Sequence, residues 1–309
     1  MEGAAVETIF NSPDRFSSKF ITADSYRTHY LEAGRDGSDP LLLVHGSSCE
    51  IGVGLDRWYP TIIPLSKHFH VYAVDELGHG ETDPPRNLEE LGHVRVRADH
   101  VIAFIEALNL GRKINLVGQS QGGWIVTYIT IKRPDLVKKL VLIDSGSTAG
   151  AGLTTDGLPF FKNVFEPGTM IPKHDLKTRE GIRQYVGEFV YNKSMVIEDL
   201  LDRLLTLSGR WNDLYMKRIR EFWRERGLEK KEKMYSVDGR HISEWVETIR
   251  VPTLVIWGKH SNKGLEKGIE LYKRIPDAQM HIFDKANHFV WLDQPREFNG
   301  LVTWFLKKD

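Results

Sequence analysis

Residues 115–124 read Asn-Leu-Val-Gly-Gln-Ser-Gln-Gly-Gly-Trp. The run Lys113 to Val117 is apolar and β-branched, the pattern of a strand buried in a parallel sheet. Gly118-Gln119-Ser120-Gln121-Gly122 then fits G-x-S-x-G. Trp124 to Lys132 has helical character and stops before Pro134. A serine on a tight strand-to-helix turn is a nucleophile elbow, which exposes the hydroxyl above a sheet. The helix that follows offers unpaired N–H groups and the positive end of its dipole to an anion.

The flanking sequence repeats this grammar. Lys19 to Thr22 and Tyr26 to Ala33 read as antiparallel strands turned at Ala23-Asp24-Ser25. Leu41 to Val44 and His70 to Val74 are short buried strands, the first ending on His45-Gly46-Ser47, the second on Asp75. Trp58 to Leu65 is a helix candidate interrupted by Pro60 and Pro64, and Leu91 to Leu108 has helical spacing ahead of Gly111. Lys139 to Ile143 is the next strand and ends on Asp144. After Ser147 the alternation stops, and helices are expected over 178–191, 195–207 and 211–226. It resumes with a strand from Pro252 to Trp257, a helix from Gly264 to Arg274, a strand from Gln279 to Phe283 and a closing helix from Pro295 to Leu306. Strand–helix alternation with such crossovers predicts an α/β fold: a mostly parallel central sheet covered by helices on both faces. Residues 1–145 and 246–309 form the expected core, and 146–245 a helical insertion.

Chemistry in such sheets gathers at the carboxyl ends of the strands. A serine hydroxyl is a poor nucleophile at neutral pH and needs a base, which in turn needs an orienting group. His288, in the polar loop after the last strand, is the candidate base. The oxyanion donors are expected to be the N–H groups of Gln121 and Ser47. The His45 ring is expected to brace its loop without taking part in chemistry.

These residues together resemble the α/β-hydrolase family: a strand before His45-Gly46, Asp75-x-x-Gly-x-Gly-x-Thr82, the serine elbow, the helical insertion and the late histidine. The resemblance spans roughly residues 19 to 308. Within it, Phe189 to Val196 followed by Glu198-Asp199-Leu200-Leu201 resembles the cap segment of the meta-cleavage-product hydrolases. That resemblance implies a cofactor-free C–C bond hydrolase acting on a 2-hydroxy-6-oxo-dienoate from aromatic ring fission. It also implies a cap arginine for the substrate carboxylate, with Arg203 the nearest match, one position early. Gln119 stands where the family keeps an asparagine and is expected, like Trp124, to face substrate. The family's catalytic aspartate slot, four positions after Trp257, holds Ser261. Three explanations stay open: the acid has moved to Asp144, Ser261 or Asn262 serves as a neutral partner for His288, or the chain is a weakened variant.

Composition narrows the field. The chain has 309 residues with 42 Lys+Arg and 42 Asp+Glu, so no charge excess points to nucleic acid or to an acidic membrane surface. The single cysteine, Cys49, rules out an internal disulfide and suits a reducing, cytoplasmic setting. No signal peptide and no apolar run long enough for a bilayer is read. His68-Phe69-His70 lacks further ligands nearby, and no metal, dinucleotide or nucleotide motif is expected. A serine nucleophile argues against the carboxylate chemistry of haloalkane dehalogenases and epoxide hydrolases. A small-molecule substrate, with homo-oligomerisation an open option, completes the reading. The alternatives are a carboxylesterase or lactonase on the same triad, and a ligand receptor with reduced turnover.

Overall fold

In the computed structural model, the residues described are 16–46, 54–87, 93–150, 173–208 and 236–308. Ser17–Ala23 (β1) and Tyr26–Ala33 (β2) pair antiparallel. Asp24 and Ser25 turn between them with φ of 47° and 69°. Two successive positive φ values give a tight turn the twist that matches the flanking strands. Pro40–Val44 (β3) is followed by a 3-10 turn, Leu55–Trp58, and a helix, Tyr59–Ser66 (α1). Pro60 sits in the first turn of α1, where its missing N–H costs nothing. Then come His70–Val74 (β4), Val94–Ala107 (α2), Ile114–Gln119 (β5), Gln121–Lys132 (α3), Val137–Ile143 (β6) and the single turn Gly146–Ala149 (α4).

Arg179–Gly187 (α5) and Glu198–Ser208 (α6) follow, with a 3-10 turn at Lys193–Met195 between them. The short strands Ser236–Val237 (β7) and Arg240–His241 (β8) form a hairpin. A 3-10 stretch, Ile242–Thr248, leads to Thr253–Gly258 (β9), Leu265–Arg274 (α7), Ala278–Phe283 (β10), Val290–Asp293 (α8) and Pro295–Lys307 (α9). The helix expected over 211–226 lies outside the described residues.

One sheet of eight strands runs β1-β2-β4-β3-β5-β6-β9-β10. Only the β1–β2 and β2–β4 pairs are antiparallel; the rest are parallel. β3 and β4 are buried along their whole length, as strands covered on both faces must be. The two-residue period of a strand divides them between layers. Leu41 and Leu43 pack with Ile62 of α1 and Phe298 of α9, while Leu42 and Val44 pack with Phe104 of α2 and Ile125 of α3.

Residues 236–248 pack with the helical layer of the sheet. Val237, Ile242 and Val246 belong to the core beside α3 and α7. α5 and α6 instead join the layer holding Phe289, Trp291 and Leu292, through Ile182, Tyr185, Leu200 and Leu204. An apolar stretch is assigned by what it buries against, and residues 236–248 bury against the sheet's helices rather than against α5 and α6.

Candidate active site

β5 delivers Ser120 to the edge of the sheet. Its backbone has φ 52° and ψ −118°, outside the regions L-residues favour, and such strain persists only where neighbours hold it. Several neighbours do. Ser145 and Ser147 each donate a hydroxyl hydrogen to the Ser120 carbonyl, at 2.6 and 2.8 Å. A Cβ on Gly122 would strike the Val44 and His45 carbonyls, and one on Gly118 would strike the Gly122 carbonyl. The glycines of the motif therefore let α3 start directly against the end of β3. Ser145 and Ser147 carried no signal in the sequence, because their role is to support a backbone atom of the elbow.

His288 is 3% exposed and reaches the same edge from the loop after β10. Its Nδ1 lies 2.9 Å from Asp144 Oδ1. Asp144 ends β6, with φ 45°, and is wholly buried. Its carboxylate also accepts from the Ser261 hydroxyl at 2.7 Å and from the Gly258 N–H at 3.2 Å. Ser261 thus occupies the family's aspartate slot but turns to Asp144, not to His288. Burial pushes the His288 imidazole below its ordinary 6.5, and the hydrogen bond and charge of Asp144 pull it back up. The neutral ring is the form a general base needs.

The Nε2 of His288 meets Gln119, not Ser120. The Gln119 Nε2 amide lies 2.9 Å away. With Nδ1–H donated to Asp144, Nε2 is the acceptor and the amide the donor. Gln119 is wholly buried, and its Oε1 is held close against Gly46, where a Cβ would collide with it.

The remaining expected residues are distributed as follows. Gln121 opens α3, the position whose N–H has no carbonyl within the helix. Ser47 lies outside the described residues. Trp124, expected to face substrate, is wholly buried in the core and stacked on Tyr128, with ring centroids 5.5 Å apart. One turn into α3, its side chain turns down onto the sheet's helical layer. Arg203 reaches from α6 to the core. Its Nε donates to Asp56 Oδ1 at 2.7 Å, and its Nη2 lies 3.5 Å from Glu81. Burial pushes Asp56 up to about 6 despite that pairing.

The Phe189 segment closes over the histidine loop. The Phe289 N–H donates to the Phe189 carbonyl at 3.0 Å. The two rings stack at 5.1 Å, and Phe189 lies 5.8 Å from the His288 ring. A small cavity beside them is lined by Arg57, Tyr185, Val186, Leu200, Leu204, Phe289 and Leu292, mostly apolar side chains.

His45, Glu76 and His79 bring metal-ligand atoms within 4.8 Å of one another. The His45 nitrogens are both engaged, Nδ1 by the Gly46 carbonyl at 2.8 Å and Nε2 by the Glu76 N–H at 3.1 Å. Arg97 donates to Glu76 at 3.0 Å, placing a cation where a metal would need negative charge. These hydrogen bonds tie the His45 loop to the end of β4 and to α2. Among the described residues, no helix is long and apolar enough to cross a membrane.

A family model described as the alpha/beta hydrolase fold matches residues 39–295. The 2-hydroxy-6-oxononadienedioate/2-hydroxy-6-oxononatrienedioate hydrolase of Cupriavidus pinatubonensis is 26% identical, over 94% of this chain and 95% of its own. The 2-hydroxy-6-oxo-6-phenylhexa-2,4-dienoate hydrolase of Comamonas testosteroni is 27% identical, over 91% of each chain. Among solved structures, a meta-cleavage product hydrolase from Pseudomonas fluorescens is 25% identical with a TM-score of 0.72, over 93% of this chain and 97% of that one.

Proposed function

The chain belongs to the α/β-hydrolase fold family, and from that premise we propose that it is a cofactor-free serine hydrolase that cleaves a C–C bond in a 2-hydroxy-6-oxo-dienoate. The observation that carries the reading is the His288–Asp144 contact of 2.9 Å, beside a serine on a strained elbow. The similarity to two dienoate hydrolases along almost the whole chain supports the substrate class.

In this reading the dienol substrate first takes up a proton at carbon and becomes a ketone, which makes the carboxylate-bearing fragment a leaving group. His288 then removes a proton either from Ser120 as it attacks the remote carbonyl or from a water that Ser120 orients there. The N–H groups of Gln121 and Ser47 hold the oxyanion. When the C–C bond breaks, its electron pair goes to the dienol fragment and His288 returns the proton. Water supplies the hydroxyl of the carboxylic acid product. Asp144 fixes the Nδ1–H tautomer and stabilises the imidazolium. α5 and α6 with the Phe189 segment act as the cap that excludes solvent.

Mixing the protein with 2-hydroxy-6-oxo-6-phenylhexa-2,4-dienoate and following the loss of its visible absorbance tests this. Rapid bleaching to benzoate and a hydroxydienoate supports the reading; binding without bleaching overturns it in favour of a receptor. One observation favours a second reading, a carboxylesterase: Arg203, the expected carboxylate anchor, is already held by Asp56 and Glu81. Faster turnover of neutral aryl esters than of the dienoate would select it.

A further inference from the structure

The two arms that would supply the oxyanion donors are joined by a buried polar chain. On one arm, the His45 Nδ1 donates to the Gly46 carbonyl at 2.8 Å, and its Nε2 accepts the Glu76 N–H at 3.1 Å. Glu76 Oε2 accepts from Arg97 Nη1 at 3.0 Å. Arg97 Nη2 donates in turn to the Gln121 Oε1 on the other arm. His45 and Glu76 are wholly buried, and Arg97 and Gln121 are 2% and 6% exposed. The four residues come from the ends of β3 and β4, from α2 and from the first turn of α3.

Burying an arginine and a glutamate together is costly, and an apolar pair of similar volume would pack the same space. What the hydrogen-bonded pair supplies is direction. A guanidinium is planar, so donating to a carboxylate on one side fixes where its other nitrogen points. Here it points at the side-chain amide of the residue that opens α3. The N–H groups of a first helical turn lack carbonyl partners, so their aim depends on how that turn is held from outside. An oxyanion hole tolerates little error, since donors must stand about 2.7–3.1 Å from the developing charge.

We propose that Arg97, held by Glu76, is a positioning residue of the oxyanion hole: it sets the Gln121 N–H by gripping the Gln121 side chain. The same chain ties the first turn of α3 to the His45–Gly46 arm at the end of β3. The inference rests on the serine-hydrolase reading above.

The test is a cycle built from Gln121→Met and the charge-neutral pair Arg97→Met with Glu76→Gln. Each is assayed for kcat and KM on the phenyl dienoate and on p-nitrophenyl acetate, and for affinity toward phenylboronic acid. The boronic acid forms a tetrahedral anion on the serine and so reports on the oxyanion hole. Gln121→Met is expected to lower kcat by about 10-fold, a mild loss beside removal of a whole donor. KM should stay within about 2-fold, and boronate affinity should fall with kcat, because the oxyanion contact forms only on the way to the transition state. The Arg97/Glu76 variant should show the same loss, and all three changes together no more. Unaltered kcat in folded Gln121→Met overturns the inference, as do losses that multiply in the combined variant. A fall in kcat with boronate affinity preserved overturns it as well. If the Arg97/Glu76 variant does not fold, Gln121→Met decides alone. Absence of turnover on both substrates by the unaltered protein removes the proposed function and this inference with it, a result distinct from turnover with additive losses.

Discussion

The amide nitrogen of Gln119 lies 2.9 Å from Nε2 of His288, on the nitrogen a general base would offer to Ser120. Under the proposed mechanism, Gln119 competes with Ser120 for His288 Nε2. For Ser120 to give up its proton, the Gln119 amide has to turn aside. A Cβ on Gly46 would collide with its Oε1, so the Gly46 backbone closes one side of that amide.

Gln119→Asn shortens the side chain by one methylene and takes its amide out of reach of His288. A hydrogen bond of this kind is worth about 1 kcal/mol net, or roughly a 5-fold factor in rate. Phosphonylation of Ser120 by a small aryl fluorophosphonate, with loss of fluoride, needs no amide for binding and is expected to speed up by that factor. Slower labelling would mean that Gln119 helps to orient His288 and does not hinder it.

Among the described residues, Asp144 is the partner of the His288 Nδ1, and Ser261 donates to Asp144 Oδ1 at 2.7 Å and not to the ring. Asp144→Asn is expected to lower kcat by roughly 10³- to 10⁴-fold, because the amide can present its donor face and favour the wrong imidazole tautomer. Ser261→Ala removes only one hydrogen bond to the carboxylate, and a loss of about 5-fold is expected. Steady-state kinetics of the two variants side by side checks the ranking. Equal losses would make Ser261 as important to the base as Asp144.

The pH dependence of kcat/KM follows from the surroundings of His288. Burial, Lys263 and Arg57 push its imidazole down, and Asp144 pulls it up, with a net lowering from 6.5. The base is active when neutral, so activity should rise with pH through a midpoint below 6.5. Loss of the Asp144 charge removes the upward pull, so the residual activity of Asp144→Asn should have its midpoint lower still. An acid limb centred above 7 in the unaltered protein would assign the titration to another group.

The sheet and the elbow were legible because both depend on short-range pattern. Apolar runs such as Leu41 to Val44 need burial on two faces, and a small-residue turn around Ser120 is the only local way to place α3 against β3. The exchange of Ser261 for an acid was equally visible, and Asp144 was the nearest carboxylate at a strand end. Three features were not legible. Trp124 is expected to face substrate, yet its side chain lies buried in the core beside α3's neighbours. Arg203 and Asp56 are 147 residues apart, and nothing in either segment announces the other. The Gln119–His288 contact depends on one side-chain rotamer, a choice set by the space beside Gly46 and not by any pattern along the chain.

The Arg203–Asp56 pair gives the last prediction. Asp56 is 1% exposed at its side chain and Arg203 34%, so the pair ties α6 to the turn before α1 through one buried and one partly solvated end. Arg203→Met strands a buried carboxylate, which in a fully buried pair costs about 3–5 kcal/mol. Solvent at the arginine end reduces this, and about 1–3 kcal/mol is expected at pH 7.5. Asp56 is pushed up to about 6, above its unfolded value, so its charge is present above that pH and lost below it. At pH 5 the carboxyl is neutral in both proteins, and the penalty should shrink toward zero. Urea unfolding of the two proteins at both pH values measures this. KM for the phenyl dienoate separates the two roles of the arginine: a purely structural Arg203 leaves it within about 2-fold, whereas a carboxylate anchor raises it by 10-fold or more, the effect of losing a charged hydrogen bond of roughly 1.5–3 kcal/mol.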